Sequence, residues 1–315
     1  MLTLPTRFPL AVLPTPLVHA PRLSAALDRE VWIKRDDLTG FALGGNKVRT
    51  LEVLVAEALA GGCDHVVGCG GPASNLCSAL AAAAATAGLG CTLVLHGNEP
   101  AAAHPNLAMM RAFGARVCFT GDPDRASTPE HAAAVADRLR SCGRRPYVVP
   151  RGAASGPGAT AYALAAGELA SQLTFEPAHV VAPAGSGGTL GGLLAGWTTF
   201  GLPGTLVGVA VSRPLAETRR EVVRLSAAAA DALGTDRPDV DRLRLVDNLG
   251  AGFGRPDRTT CDAARLALRT EGIMADTTYV ARAVAALGSL RGPIVLWHTG
   301  GWLGCVGDAM GAGHG

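Results

Sequence analysis

Short apolar runs alternate with helix-length segments along almost the whole of this 315-residue chain. Runs such as His179–Ala182, Leu206–Val211 and Pro293–Trp297 are almost free of charge, so both of their faces must be buried. Amphipathic or alanine-rich segments separate them. Buried strands joined through helices pair in parallel, with helices on both faces of the sheet. The pattern predicts strands at Val31–Lys34, His65–Cys69, Cys91–Leu95, Arg116–Thr120, Pro146–Val149, His179–Ala182, Leu206–Val211, Leu243–Val246 and Pro293–Trp297. It predicts helices at Lys47–Ala60, Ser74–Ala87, Pro105–Phe113, Pro129–Ser141, Ala159–Gln172, Thr189–Thr199, Leu215–Leu233, Thr259–Glu271 and Val280–Leu290. The fold class is therefore α/β, with parallel twisted sheets flanked by helices.

Two glycine-rich segments, Gly40–Asn46 and Pro150–Gly158, read as crossings between lobes. They predict a large domain from 1–49 and 156–315, with 50–155 inserted as a small α/β domain. Composition excludes several classes of function. The chain is 48% hydrophobic and 17% charged, as expected of a filled globule. A net charge of +2 with dispersed arginines gives no track for nucleic acid. The stretch Leu76–Leu95 is broken by Gly88-Leu89-Gly90, which argues against a membrane span. Prolines at 5 and 9 interrupt any secretory core at the N-terminus. Eight cysteines form no Cys-x-x-Cys pair and no zinc spacing with histidine. The expectation is a reducing cytoplasm and no metal.

Lysine is nearly absent. Arginine occurs 26 times but lysine only at Lys34 and Lys47, and Lys47 ends the tetrapeptide Gly44-Gly45-Asn46-Lys47. Arginine supplies positive charge equally well, but guanidinium stays protonated and cannot attack a carbonyl. Lys47 is thus a candidate Schiff-base amine. Gly185-Ser186-Gly187-Gly188-Thr189 follows a strand and opens a helix, where converging N–H groups and the helix end suit a phosphate. Gly70-Gly71-Pro72-Ala73-Ser74-Asn75 makes a similar turn. There Ser74 is an ordinary N-cap in one reading and a carboxylate ligand in the other. His298-Thr299-Gly300-Gly301 follows a strand. Its glycines leave room for a flat ring, Thr299 offers a hydroxyl, and His298 reads as a structural histidine. An amine, a phosphate cradle, a carboxylate turn and a hydroxyl for a ring nitrogen together fit pyridoxal 5′-phosphate holding an amino acid.

Val31-Trp32-Ile33-Lys34-Arg35-Asp36-Asp37 followed by Gly44-Gly45-Asn46-Lys47-Val48-Arg49 resembles the 1-aminocyclopropane-1-carboxylate deaminase/D-cysteine desulfhydrase family. Ser74-Asn75, Gly185–Thr189, Glu271-Gly272-Ile273 and His298–Gly301 follow in that family's order. The resemblance implies a two-domain, fold-type II (tryptophan synthase β-like) enzyme using pyridoxal 5′-phosphate. It implies that Lys47 binds the cofactor and moves the Cα proton, and that Asn75 bonds the ring oxygen. Ser74 would meet the substrate carboxylate, Gly185 to Thr189 the phosphate and Thr299 the ring nitrogen, with Tyr279 beside the substrate. It also implies a homodimer.

The chain departs from the family at four places. Leu76 stands where relatives carry His or Gln, and Phe253 replaces a tyrosine between glycines. Val280 replaces an acid after Tyr279, and Arg282 stands where relatives have lysine. Losing a positioned proton-transfer group typically costs ~10²–10⁴-fold in rate, which argues against opening a cyclopropane ring. The leading expectation is β-elimination from a cysteine-like or other β-substituted amino acid, with a bulky apolar substituent facing Leu76 and Phe253. Ring-opening deamination, β-replacement and a degenerate cofactor-binding homologue working through a protein partner are the alternatives.

Overall fold

The computed structural model describes residues 2–311. In chain order the strands are β1 Leu17–His19, β2 Val31–Arg35, β3 His65–Gly70, β4 Gly90–Leu95, β5 Arg116–Phe119, β6 Pro146–Val148, β7 His179–Ala184, β8 Thr205–Ala210, β9 Leu243–Asp247 and β10 Ile294–His298. The helices are α1 Pro21–Leu27, α2 Asn46–Ala60, α3 Asn75–Thr86, α4 Pro105–Ala112, α5 Thr128–Ser141, α6 Gly156–Gln172, α7 Gly188–Phe200, α8 Leu215–Leu233, α9 Arg258–Glu271, α10 Val280–Leu287 and α11 Trp302–Gly311.

The chain divides into two compact units. The larger holds Ala11–Asn46 and the chain from Ser155 onward; the smaller holds Thr6–Leu10 and Lys47–Ala154. Thr6–Leu10 belongs to the smaller unit because Phe8 and Leu10 donate backbone N–H groups to the Glu52 carbonyl and side chain, at 2.8 and 2.9 Å. No local pattern in the sequence signals that attachment.

The larger unit is built on a six-stranded sheet in the order β1-β2-β10-β7-β8-β9. Alternate residues of each strand feed opposite faces. Val180 and Ala182 of β7 join Val295 and Trp297 of β10 in a core under α6, α7 and α8. Val181, Val207 and Leu296 join a second core with α1, α9 and α10. Packing on both faces explains why these strands lack polar alternation. The smaller unit has a four-stranded parallel sheet in the order β5-β4-β3-β6. Its α5 packs on Val67 and Cys69. Gly68 faces the other way, where an added Cβ would stand 2.5 Å from Leu80 of α3.

The structure corrects the expected elements in five places. β1 is an additional strand, pairing antiparallel with β2, so the larger sheet is not wholly parallel. It is a three-residue edge, too short to show a period. α1 and α11 are likewise additional. α10 ends at Leu287 rather than Leu290, because Ser289 and Leu290 bond back only to Ala286 and Leu287 in single turns after Gly288. α6 starts early, at Gly156, because the Ser155 hydroxyl accepts the Gly158 N–H and a proline occupies the first turn.

Chain direction places loops at the carboxyl edges. In the larger sheet the chain runs from β7 out to β8 and β9, while β10 and β2 lie on the other side of β7. In the smaller sheet it runs from β3 out to β4 and β5, with β6 on the other side of β3. Such switch points open crevices beyond the strand ends. The loops after β7 and β10, and those after β3 and β6, each flank one.

Glycines set how closely α7 packs on α6. An added Cβ at Gly192 would lie 2.1 Å from the Ala159 carbonyl oxygen, and at Gly196 2.4 Å from that of Ala163. Helix propensity alone favours Gly192→Ala by about 1 kcal/mol. The backbone clash outweighs it, so Gly192→Ala should destabilise the protein by about 1–3 kcal/mol in urea unfolding. A variant as stable as the wild type would contradict this packing.

Candidate active site

In the larger unit the loop after β7 turns through Gly187, whose φ of +94° favours glycine, into the first turn of α7. The first N–H groups of a helix have no partner within it, and they point outward with the positive end of the macrodipole. Thr189 is buried, and its hydroxyl oxygen accepts the Asn46 amide at 3.0 Å. The Ser212 hydroxyl holds the Gly185 carbonyl at 2.8 Å, and the Arg213 guanidinium reaches the Ser186 carbonyl at 3.5 Å. The helix end and Arg213 give this cradle positive potential, while the Glu221 side chain lies behind Gly187, where an added Cβ would stand 3.2 Å from its Cγ.

Asn46 joins the cradle to the end of β10. Its backbone N–H donates to the Thr299 carbonyl at 3.0 Å, while its side chain holds Thr189. The two backbones approach closely: a Cβ on Gly300 would stand 2.6 Å from the Gly45 Cα. Gly45 and Gly300 have φ of +107° and +92°, so glycine is required there for both reasons. Thr299 keeps its hydroxyl out of these bonds. Behind it His298 is fully buried, with its ring nitrogens facing the Met274 carbonyl and the Gly300 N–H, both at 3.2 Å. Burial holds its pKa below the usual value although Asp37 lies 3.5 Å away. It is a structural histidine.

Tyr279 lies against the cradle: a Cβ on Gly185 would come within 2.9 Å of its ring. The Asp276 carboxylate accepts the Tyr279 and Val280 N–H groups at 3.0 and 3.1 Å and anchors the start of α10. Phe253 packs edge-on against Tyr279, with ring centroids 6.0 Å apart at 70°. The larger unit thus gathers Gly185 to Thr189, Thr299, Tyr279 and Phe253 into one continuous set.

In the smaller unit Lys47 follows Asn46 directly in α2. Its amine donates to the Gly152 carbonyl at 2.9 Å, just beyond β6. Desolvation lowers its pKa from 10.5 to about 8 although the side chain is only half-buried, so the amine end is the desolvated part. Beyond β3, the Ser74 oxygen accepts the Cys77 N–H at 3.2 Å as the cap of α3. That bond leaves the hydroxyl proton to donate elsewhere. Buried Asn106 donates to the Ala73 carbonyl and to Asn75 Oδ1, at 2.9 and 3.0 Å. With its oxygen engaged, Asn75 presents its NH₂ to an outside acceptor. Leu76, in the first turn of α3, is only 3% exposed, whereas Phe253, 39% exposed, presents an apolar surface.

These donors fit pyridoxal phosphate: a glycine-walled anion cradle, an uncommitted hydroxyl, an oriented amide and a lysine amine of lowered pKa. Asn46 is marked in the sequence only as part of the Gly44-Gly45-Asn46-Lys47 motif, and Asn106, Ser212 and Arg213 carry no local signal, because their roles rest on contacts with distant residues. The other lysine is not a competitor. Lys34 is fully buried, and its three N–H groups meet the Thr15 carbonyl, Glu168 and Gln172. Among the described residues no helix is long and apolar enough to cross a membrane, and no three His, Cys, Asp or Glu residues are placed to hold a metal.

The family model for pyridoxal-phosphate dependent enzymes matches residues 9–300. A D-cysteine desulfhydrase of Klebsiella pneumoniae (strain 342) is 37% identical, the alignment covering 94% of this chain and 95% of that protein. One from Salmonella newport (strain SL254) is 36% identical with the same coverage. A crystal structure of an ACC deaminase homologue superposes with a TM-score of 0.92 at 33% identity, covering 98% of this chain and 96% of the other. A fungal L-serine ammonia-lyase from Rhizomucor miehei shares the fold, with a TM-score of 0.68 at 17% identity over 91% of this chain and 93% of that one.

The lowered pKa of Lys47 has a consequence for stability. Below about pH 8 the amine is charged both folded and unfolded, and its desolvation opposes folding. The opposition fades as pH rises from about 8 toward 10.5. Cofactor-free Lys47→Met should therefore be more stable than wild type by roughly 1–3 kcal/mol at pH 7, with the gap closing toward high pH. Urea unfolding across pH measures this. A Met variant no more stable at pH 7 would show that the amine is not desolvated.

Proposed function

Because this chain belongs to the pyridoxal-phosphate dependent enzymes, we propose that it is a lyase removing the β substituent from a cysteine-like amino acid, with Lys47 as its catalytic amine. The observation that carries this reading is the contrast between the two lysines. All three N–H groups of Lys34 are engaged, whereas Lys47 meets one carbonyl and has a pKa near 8. Lys47 is the amine able to shed a proton near neutrality.

Pyridoxal phosphate, when bound, supplies an aldehyde for an amine and a sink for the electron pair left at Cα. Gly185 to Thr189, with the first turn of α7, would hold its phosphate. Asn75 would donate its NH₂ to the ring oxygen. The neutral Thr299 hydroxyl would meet the ring nitrogen, where no acid forces protonation. Ser74 would give its proton to the substrate carboxylate while its oxygen stays on the Cys77 N–H. Lys47 Nζ would take the Cα proton. The Cα–H and Cβ–S bonds break, a Cα–Cβ double bond forms, and the thiolate leaves with little acid help. Water then converts the unsaturated product to pyruvate and ammonium.

The relatives named D-cysteine desulfhydrase support a D-amino acid. The exposed ring of Phe253 favours an apolar group on sulfur. The reading carries with it a homodimer in the cytoplasm, a reducing setting that suits eight free thiols.

The protein with its cofactor should release thiol, pyruvate and ammonia in equal amounts from D-cysteine or S-alkyl-D-cysteines. Lys47→Ala should lower the rate by at least ~10³-fold. An added nucleophile that diverts product into a new amino acid would make the enzyme a replacement synthase. Absence of turnover on every β-substituted amino acid would point to a cofactor-binding homologue. Free cysteine turning over far better than bulky S-alkyl analogues would remove the apolar preference alone.

A further inference from the structure

Arg282 is the largest fully buried charged side chain, and the proposed chemistry makes no use of it. It lies in α10, three residues after Tyr279. Its guanidinium hydrogen-bonds to backbone carbonyls, and the nearby Asp257 carboxylate faces it electrostatically. Nε donates to Thr277 at 3.3 Å and Nη1 to Asn248 at 2.5 Å. Nη2 donates to Gly252 at 3.1 Å and Arg255 at 2.7 Å. In return the Asn248 side chain donates to the Arg282 carbonyl at 2.8 Å.

Three of those carbonyls belong to the loop between β9 and α9. That loop contains Gly250, Gly252 and Gly254, all at positive φ. Glycines there permit the turns but also the widest range of other shapes. Inside the loop the backbone bonds are Gly252 to Leu249 and Arg255 to Gly252, at 2.9 and 3.2 Å, while at its start the Asn248 and Leu249 N–H groups donate to the Ala210 carbonyl and the Asp247 carboxylate, at 3.1 and 3.0 Å. A desolvated guanidinium is costly to bury, and its bonds are correspondingly costly to break. The planar fork spans carbonyls at both ends of the loop at once. An ammonium concentrates its three donors at one point and cannot.

Phe253 sits between the two carbonyls that share Nη2. Its ring meets Tyr279, and Tyr279 covers Gly185 in the phosphate loop. We propose that Arg282 is a positioning residue that clamps this glycine loop so that Phe253 is held against Tyr279 and selects the β substituent. The role in selection rests on the lyase reading above; the clamp itself does not.

The test compares Arg282→Lys, Phe253→Ala and the double variant as holoenzymes. Amide hydrogen exchange of 249–255 should quicken about tenfold or more in Arg282→Lys, with β7 and β10 unchanged. The ratio of kcat/KM for S-benzyl-D-cysteine to that for D-cysteine should fall about 5–50-fold, chiefly through KM. In the Phe253→Ala background Arg282→Lys should no longer move that ratio. Unchanged exchange, an equal loss on both substrates, or a full shift without Phe253 would each overturn the proposal. If Arg282→Lys does not fold, Asn248→Ala removes the reciprocal bond alone and should move exchange and ratio in the same directions; no movement there is equally fatal. Should the wild type turn over neither substrate, the lyase reading and the selection built on it fall together, while hydrogen exchange still decides the clamp.

Discussion

Asn46 bonds Thr189 through its side chain and Thr299 through its backbone, and the candidate site residues of the larger unit are arranged around that pair of bonds. Thr189 opens α7 beside the anion cradle, and Thr299 ends β10. Asn46 therefore ties the loop after β7 to the end of β10 within the larger unit. The peptide bond that follows carries Lys47. Its neighbours Gly45 and Gly300 allow the required approach, since a Cβ on Gly300 would sit inside the Gly45 backbone. The loss of lysine elsewhere is tolerable because charge is all that other sites need.

The larger unit supports this arrangement with buried polar bonds. Asp36 is fully buried and accepts from Tyr162, Trp297 and Thr15 at 2.6, 2.8 and 2.8 Å. Its own carbonyl accepts the Gly45 N–H at 2.9 Å. Tyr162 comes from α6, Trp297 from β10 and Gly45 from the loop before α2. Buried polar groups stabilise only when satisfied, and here satisfaction locks together the three elements around the cradle. Lys34 is bound into the adjoining part of the core, which explains how a second lysine persists without competing for an aldehyde.

Much of this is legible in the sequence where local pattern carries the information. β7, β8 and β10 are legible because strands buried on both faces have apolar residues at successive positions. The glycine turn after β7 is legible because glycines cluster there between a strand and a helix. β1 is not, since three residues near prolines have no period. Leu76 reads as a substrate neighbour from its place after Ser74-Asn75, while its burial in α3 has no local signal. Asn46, Asn106 and Arg213 stand in plain view, yet their meaning lies in partners remote along the chain. Arg282 reads only as a departure from relatives until the carbonyls around it are seen.

The account turns on which amine meets the aldehyde. Borohydride reduction of the protein loaded with pyridoxal phosphate, followed by peptide mapping, decides this directly. The account predicts one phosphopyridoxyl group per chain, on the peptide carrying Lys47, with Lys34 unmodified. Label on Lys34 or the N-terminal amine, or protein left unlabelled under saturating cofactor, would contradict it.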